Sequence, residues 1–311
     1  MMTFELRFVV VALGAFAASG MVGALAAWLW ASRRRTAPLA DSTLLFLRLV
    51  PSLAATTGMV LAVLAFVLFE QRGAENIGVV IRALAILAVT LFLSAGWRAW
   101  GLHRRTRATL TQWMRTAEPV AMPDVNVPVF AITSEFPIVA VVGLFRQRII
   151  IARSVLERCA PEELRAILAH EYTHIVRHDN LRRAIFTAAP DLLAWLPVSD
   201  QLLAAWHERC EEAADNGANS LGERGRILLA QALIRVARLA PAAPAVQDLP
   251  ASALYRGEDL NRRIHRLLAP PAAVATPDRL LAYTIAFGIG LSIIALKPIH
   301  DVVEVAVRWL P

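Results

Sequence analysis

Charge is scarce in this sequence: Asp, Glu, Lys and Arg together make up 18% of its 311 residues, against 57% hydrophobic residues. That balance excludes an ordinary soluble domain. Cysteine is nearly absent as well. The two present, Cys159 and Cys210, both fall in a segment read below as cytoplasmic, which excludes a disulfide framework and leaves them as small buried apolar residues. No internal repeat is visible, so a solenoid is excluded. Within the apolar runs charge almost disappears, only Arg82 lying inside one, near its end where the side chain can snorkel. Spans so empty of ionisable groups argue against a transporter pathway.

The apolar residues are bunched into runs over residues 8–31, 50–69, 77–97 and 280–296. Each matches the length needed to cross about 30 Å of hydrocarbon, and four transmembrane helices are expected. The first run is too long for a signal-peptide core, and it ends on Trp28 and Trp30 followed by Arg33, Arg34 and Arg35, the flank of a retained span. Those arginines, with Arg98, Arg104, Arg105 and Arg107 after the third run, place both following loops in the cytoplasm. The loop bearing Glu70, Arg72 and Glu75 is then external, as are both termini, and Arg279 is internal. The expected organisation is a membrane domain over residues 1–100, a cytoplasmic domain over 101–279, and a fourth helix with a short external tail over 280–311. Most of the net charge of +7 flanks spans, which points to anionic membrane lipid and away from direct nucleic-acid binding.

Within the cytoplasmic domain, residues 102–117 read as a basic juxtamembrane helix, and Pro119, Pro123 and Pro128 as a linker. Residues 129–133, 138–142 and 149–152 are β-branched runs of a small sheet. A helix is predicted from Ala160, since Pro161 suits its first turn and Glu162 and Glu163 suit its dipole. Residues 184–197, broken by Pro190 and Asp191, form a buried or membrane-interfacial hairpin. Further helices are predicted over 199–216, 223–239 and 258–268, with an Ala- and Pro-rich linker at 240–246.

His170 and His174 lie four residues apart on the helix from Ala160, on one face. That spacing suits two zinc ligands, with Glu171 between them as general base toward water activated by zinc. With seven histidines in the chain, chance produces such a motif in roughly one sequence in a hundred. A catalytic zinc requires a third protein ligand. His178, two turns from His170, stands about 12 Å along the axis, and the glycine-assisted turn of a metzincin is missing after His174. A glutamate of a second helix remains, and Glu208 to Asp215 supplies two pairs one turn apart: Glu211 with Asp215, or Glu208 with Glu212. One member can bind metal while the other orients a histidine. His207, one turn before Glu211, is a candidate oxyanion stabiliser beside its plainer reading as a surface histidine.

The run from His170 to Asn180, HEYTHIVRHDN, resembles the HExxHxxRxDN signature of the BlaR/MecR-type membrane zinc metallopeptidases. Gly143-Leu144-Phe145-Arg146 before Ile149, the Glu162-Glu163-Leu164 helix start, the ExxAD element at Glu211 to Asp215, and three spans before and one after the catalytic domain follow the same order. The resemblance implies an α-helical membrane protein carrying an α+β, zincin-like peptidase domain facing the cytoplasm. It implies His170, His174 and Glu211 as zinc ligands, Glu171 as base, and Asp179 and Asp215 as supporting residues. Gln147 and Ala152 replace prolines frequent in the family, and only about fifteen residues follow the last span, far short of a penicillin-binding sensor domain. The expected function is regulated proteolysis of a protein or peptide substrate, such as a cytoplasmic repressor. The alternatives are a quality-control or CAAX-processing membrane zinc protease, and a catalytically silent signalling scaffold.

Overall fold

The computed structural model describes residues 3–33, 39–69, 77–122, 125–222, 224–239 and 260–269. The fourth expected span at 280–296, the tail after it, Arg34, Arg35, Arg279, the loop from Glu70 to Glu75 and the linker at 240–246 lie outside the described residues. The described residues form two compact units. One takes residues 3–99 with Phe186–Trp206, and the other takes Trp100–Ile185 with residues 207–269.

Three long helices dominate the first unit: α1 (Phe4–Arg33), α2 (Asp41–Phe69) and α3 (Val79–Met114), the last of which continues into the second unit. Each carries a stretch long and apolar enough to cross a membrane. Lipid offers no hydrophobic drive between such helices, so close backbone approach has to hold them together. Small residues provide it here. A Cβ on Gly58 of α2 would collide with Ser19 of α1, and one on Gly23 would sit 2.9 Å from both the Ala54 Cβ and the Pro51 Cα. Phe16, Ala17, Ala55 and Ala88 form the buried seam of the three helices.

A buried ion pair completes the first unit. Arg48 of α2 donates to Asp191 at 2.6 Å, both side chains being at most 1% exposed, and Ser52 donates to the same carboxylate oxygen at 2.7 Å. Asp191 also caps a single 3-10 turn at Leu192–Trp195 by accepting from the Ala194 amide. Arg98 holds the carbonyls of Thr187 and Ala189 at 3.2 and 2.8 Å. The segment around Pro190 is therefore pinned to α2 and α3 by two arginines. A second span that starts at residue 50 misses Arg48, because the helix begins nine residues earlier, at Asp41.

The second unit contains a four-stranded mixed sheet in the order β1-β2-β4-β3: β1 (Glu118–Val120), β2 (Val129–Ile132), β3 (Val139–Val142) and β4 (Arg148–Ala152). The central pair β2 and β4 is parallel, with Val129 opposite Ile149, and the outer strands are antiparallel to their neighbours. Strand alternation sorts the core. Val129, Val139, Val141, Ile149 and Ile151 face Ile167, Leu229, Leu233 and Val236, whereas Ile132, Val142 and Ile150 face Leu110, Trp113 and Met114 at the far end of α3. Fully burying each such side chain contributes about 1.5–3 kcal/mol.

Two expectations change here. The juxtamembrane helix is not separate, since α3 runs unbroken for 36 residues. The stretch around Pro119 is strand β1, because an edge strand loses no ladder hydrogen bond to the missing proline N–H. The remaining helices are α4 (Arg153–Arg158), α5 (Pro161–Val176), α6 (Asp179–Ala188), α7 (Pro197–Gly217), α8 (Gly225–Leu239) and α9 (Leu260–Leu268). Glu163 starts α5 by accepting from the Ala160 amide at 2.8 Å, and Arg235 of α8 holds the same carboxylate at 2.8 Å.

Candidate metal centre

Helix α5 sets His170 and His174 one turn apart, both buried, with their Nε2 atoms 3.3 Å from each other. Helix α7 brings the third group: Glu211 Oε1 lies 3.5 Å from His174 Nε2, and Oε2 lies 3.7 Å from His170 Nε2. One donor atom from each of the three side chains falls within 4.8 Å of the other two. The competing carboxylates are engaged elsewhere, Glu208 with Arg262 at 2.9 Å and Glu212 with Arg209 at 2.6 Å. A glycine allows the approach of the two helices. A Cβ on Gly217, the last residue of α7, would overlap Thr173 Oγ1 and sit 3.2 Å from the Ala169 carbonyl, both on α5.

Each histidine is backed on its other ring nitrogen by a carboxylate. Asp179 Oδ2 is 2.9 Å from His174 Nδ1. Asp215 Oδ1 is 3.1 Å from His170 Nδ1, at ion-pair distance but off the line of a full hydrogen bond. Such partners fix ring orientation and leave both Nε2 atoms as the donors aimed at a shared point.

The turn that delivers Asp179 has a specific cause. Helix α5 ends at Val176, and His178 takes φ +54°, a left-handed conformation uncommon without glycine. His178 thus does not extend the ladder of His170 and His174, as its spacing suggested. It reverses the chain instead. Arg177 then lies 3.5 Å from Asp179 through Nε, and Asn180 donates to the Val141 and Gly143 carbonyls at 3.0 and 3.2 Å. The RHDN run thereby ties α6 both to His174 and to the edge strand β3.

Glu171 is fully buried, and neither of its oxygens has a well-aligned hydrogen-bond partner. Burial pushes its carboxyl up to about 8, with His174 pulling the other way and Glu211 adding to the rise. Burial pulls the His170 imidazole below its ordinary value. For His174 burial is outweighed by the Asp179 hydrogen bond and by the Glu211 and Glu171 charges, and the ring rises to about 9. Burial pushes Glu211 and Asp215 up, but the charge of Arg263 together with the neighbouring histidines outweighs it and holds both below the usual carboxylate range.

His207, the candidate oxyanion stabiliser, is half-buried on α7, one turn before Glu211. Arg263 is the residue that sequence reasoning passed over. The arginine-rich helix predicted at 258–268 and the acid-rich run from Glu208 to Asp215 are complementary in charge, which is the signal of it that the sequence carries. Two imidazoles and one carboxylate converging without a fourth protein donor among the described residues form a set that fits a divalent cation with one open position.

Residues 104–270, more than half of the chain, match the model of Peptidase family M48. No curated protein matches. The chain belongs to Peptidase family M48, a family of metallopeptidases, and three of its helices are long and apolar enough to cross a membrane.

Proposed function

We propose that this M48 metallopeptidase is an integral-membrane zinc endopeptidase that hydrolyses peptide bonds of a protein substrate, with His170, His174 and Glu211 as metal ligands and Glu171 as general base. One observation carries the reading: a fully buried carboxylate, Glu171, stands beside two histidines and a glutamate that converge on a single point. Zinc bound there would supply a Lewis acid for the scissile carbonyl and bring the pKa of water toward neutrality. Glu171 accepts the proton of the attacking water and passes it to the departing amine. Its desolvated pocket favours that uptake. Asp179 and Asp215 keep the imidazoles oriented, and His207 is the candidate donor to the oxyanion. Strand β3, at the edge of the sheet and joined to the site through Asn180, offers backbone groups along which an extended peptide can pair.

The arginines following the first and third spans support a cytoplasmic catalytic domain over residues 101–279 and an external N-terminus in a bacterial-type plasma membrane, and the apolar run at 280–296 supports a fourth span with an external C-terminus. The HExxHxxRxDN run supports regulated proteolysis of the BlaR/MecR type, with a repressor or membrane-proximal protein as substrate. Membrane quality control is the second reading, since such proteases share the HExxH and ExxxD elements of this chain. Breadth of substrate separates the two, since quality control requires cleavage of many unfolded proteins.

The test compares purified wild type with Glu171→Gln for zinc content and for cleavage of casein and of the chain itself. Expected are zinc in both proteins, cleavage reduced about 100- to 10,000-fold in the variant, and loss of wild-type activity on chelation with recovery on adding zinc. A folded wild type that takes up no zinc refutes the site. Zinc uptake with equal cleavage by both proteins removes Glu171 from its role.

A further inference from the structure

Helix α9 lies beyond every element recognised in the catalytic motif, and it carries the most buried arginine among the described residues of the second unit. Arg263 is 6% exposed. Its guanidinium touches two carboxylates of α7 at once: NH1 lies 3.0 Å from Glu211 Oε2, NH2 lies 2.6 Å from Asp215 Oδ1, and Nε donates to Asp215 Oδ2 at 3.3 Å. Arg266, one turn later, adds a contact to Asp215 Oδ2 at 3.2 Å. Asp215 in turn faces His170 Nδ1.

We propose that Arg263 is the positioning residue of the metal centre, fixing Glu211 directly and His170 through Asp215. This rests on the zinc-site reading above and extends it to a residue of α9. A planar fork suits the task, because it can hold two carboxylates in set directions at the same time. By engaging Oε2 of Glu211, it leaves Oε1 directed toward His174. A lysine keeps the charge but reaches the two acids as a single point, so it restores only part of the geometry. Arg262, next in sequence, is on the exposed side of the helix and pairs with Glu208 at 2.9 Å.

The experiment uses the full chain in detergent. Arg263→Gln, Arg263→Lys and the surface control Arg262→Gln are compared with wild type in three ways: zinc affinity by competition with a chromophoric chelator, the visible spectrum of the cobalt-substituted protein, and kcat and KM. Circular dichroism of the metal-free forms monitors folding. Arg263→Gln is expected to weaken zinc binding about 10- to 100-fold, to alter the cobalt bands, and to lower kcat more than it changes KM. Arg263→Lys should fall between it and wild type, and Arg262→Gln should match wild type. If Arg263→Gln does not fold, Arg263→Lys decides, since native helicity with weakened binding and shifted bands carries the same meaning. Wild-type zinc affinity and an unchanged cobalt spectrum in the folded Arg263 variants overturn this proposal alone. Failure of wild type to bind zinc, or binding unaffected by Glu211→Gln, overturns it together with the reading on which it rests.

Discussion

The contact between Gly217 and Thr173 makes a prediction whose sign separates two physical effects. In an exposed helix, replacing glycine by alanine stabilises by about 1 kcal/mol. At Gly217 the added methyl would overlap Thr173 Oγ1 and lie 3.1 Å from Thr173 Cβ. Thr173 already spends its hydroxyl on the Ala169 carbonyl at 2.9 Å, so turning away forfeits a hydrogen bond of about 1 kcal/mol. Forcing α7 outward instead incurs about 1–3 kcal/mol of overpacking. Set against that gain of about 1 kcal/mol, these costs leave Gly217→Ala expected to destabilise by up to about 2 kcal/mol, the reverse of the helix-propensity effect. Zinc affinity should fall with it, since Asp215 is two residues away and moves with the helix end. Thermal unfolding in detergent, with and without zinc, gives the first quantity, and chelator competition gives the second. The decisive variant is Gly217→Ala with Thr173→Ala, in which the overlapping oxygen is gone. It should recover most of the loss, as a coupling of about 1–2 kcal/mol between the two sites. A single Gly217→Ala variant that is more stable than wild type and binds zinc as tightly would refute the close-approach argument.

Two further outcomes follow from other parts of the molecule. Arg48→Met leaves Asp191 buried without its cation and should reduce stability by about 3–5 kcal/mol, whereas Arg48→Met with Asp191→Leu should recover most of it; equal stability of the single variant and wild type, in detergent melts, would exclude the pair as a structural element. His178→Gly should hold or raise the melting temperature and His178→Val should lower it, because a β-branched residue tolerates φ +54° poorly. The opposite order would show that the turn is not strained.

The parts of the site that could be read in the sequence are those held by local spacing. Pro161, Glu163 and the four-residue interval of His170 and His174 specify a helix and a face within sixteen residues, and α5 occupies those residues. The strands at Val129, Val139 and Arg148 are short, but their β-branched runs announce them. Features that depend on a distant neighbour stayed hidden. Arg263 lies 48 residues from Asp215, and on its own helix it looks like any solvated arginine. Gly217 matters only because Thr173 is opposite. Arg48 fell outside the apolar window, and nothing near it in sequence hints that its partner is Asp191. His178 continues the helical spacing, yet the backbone leaves the helix before it, a reversal that side-chain periodicity cannot register.

The Arg48–Asp191 pair also sets an order of events while the chain is being made. The two residues are 143 positions apart. At about 5–20 residues per second of synthesis, the carboxylate appears roughly 7–30 s after the arginine it neutralises. Arg48 lies seven residues into α2, about 10 Å along a helix that exceeds the hydrocarbon thickness, so headgroups and water can solvate it during that interval. Final seating of α2 against the segment around Pro190 is thus a late step, timed by translation and not by insertion of the helix itself.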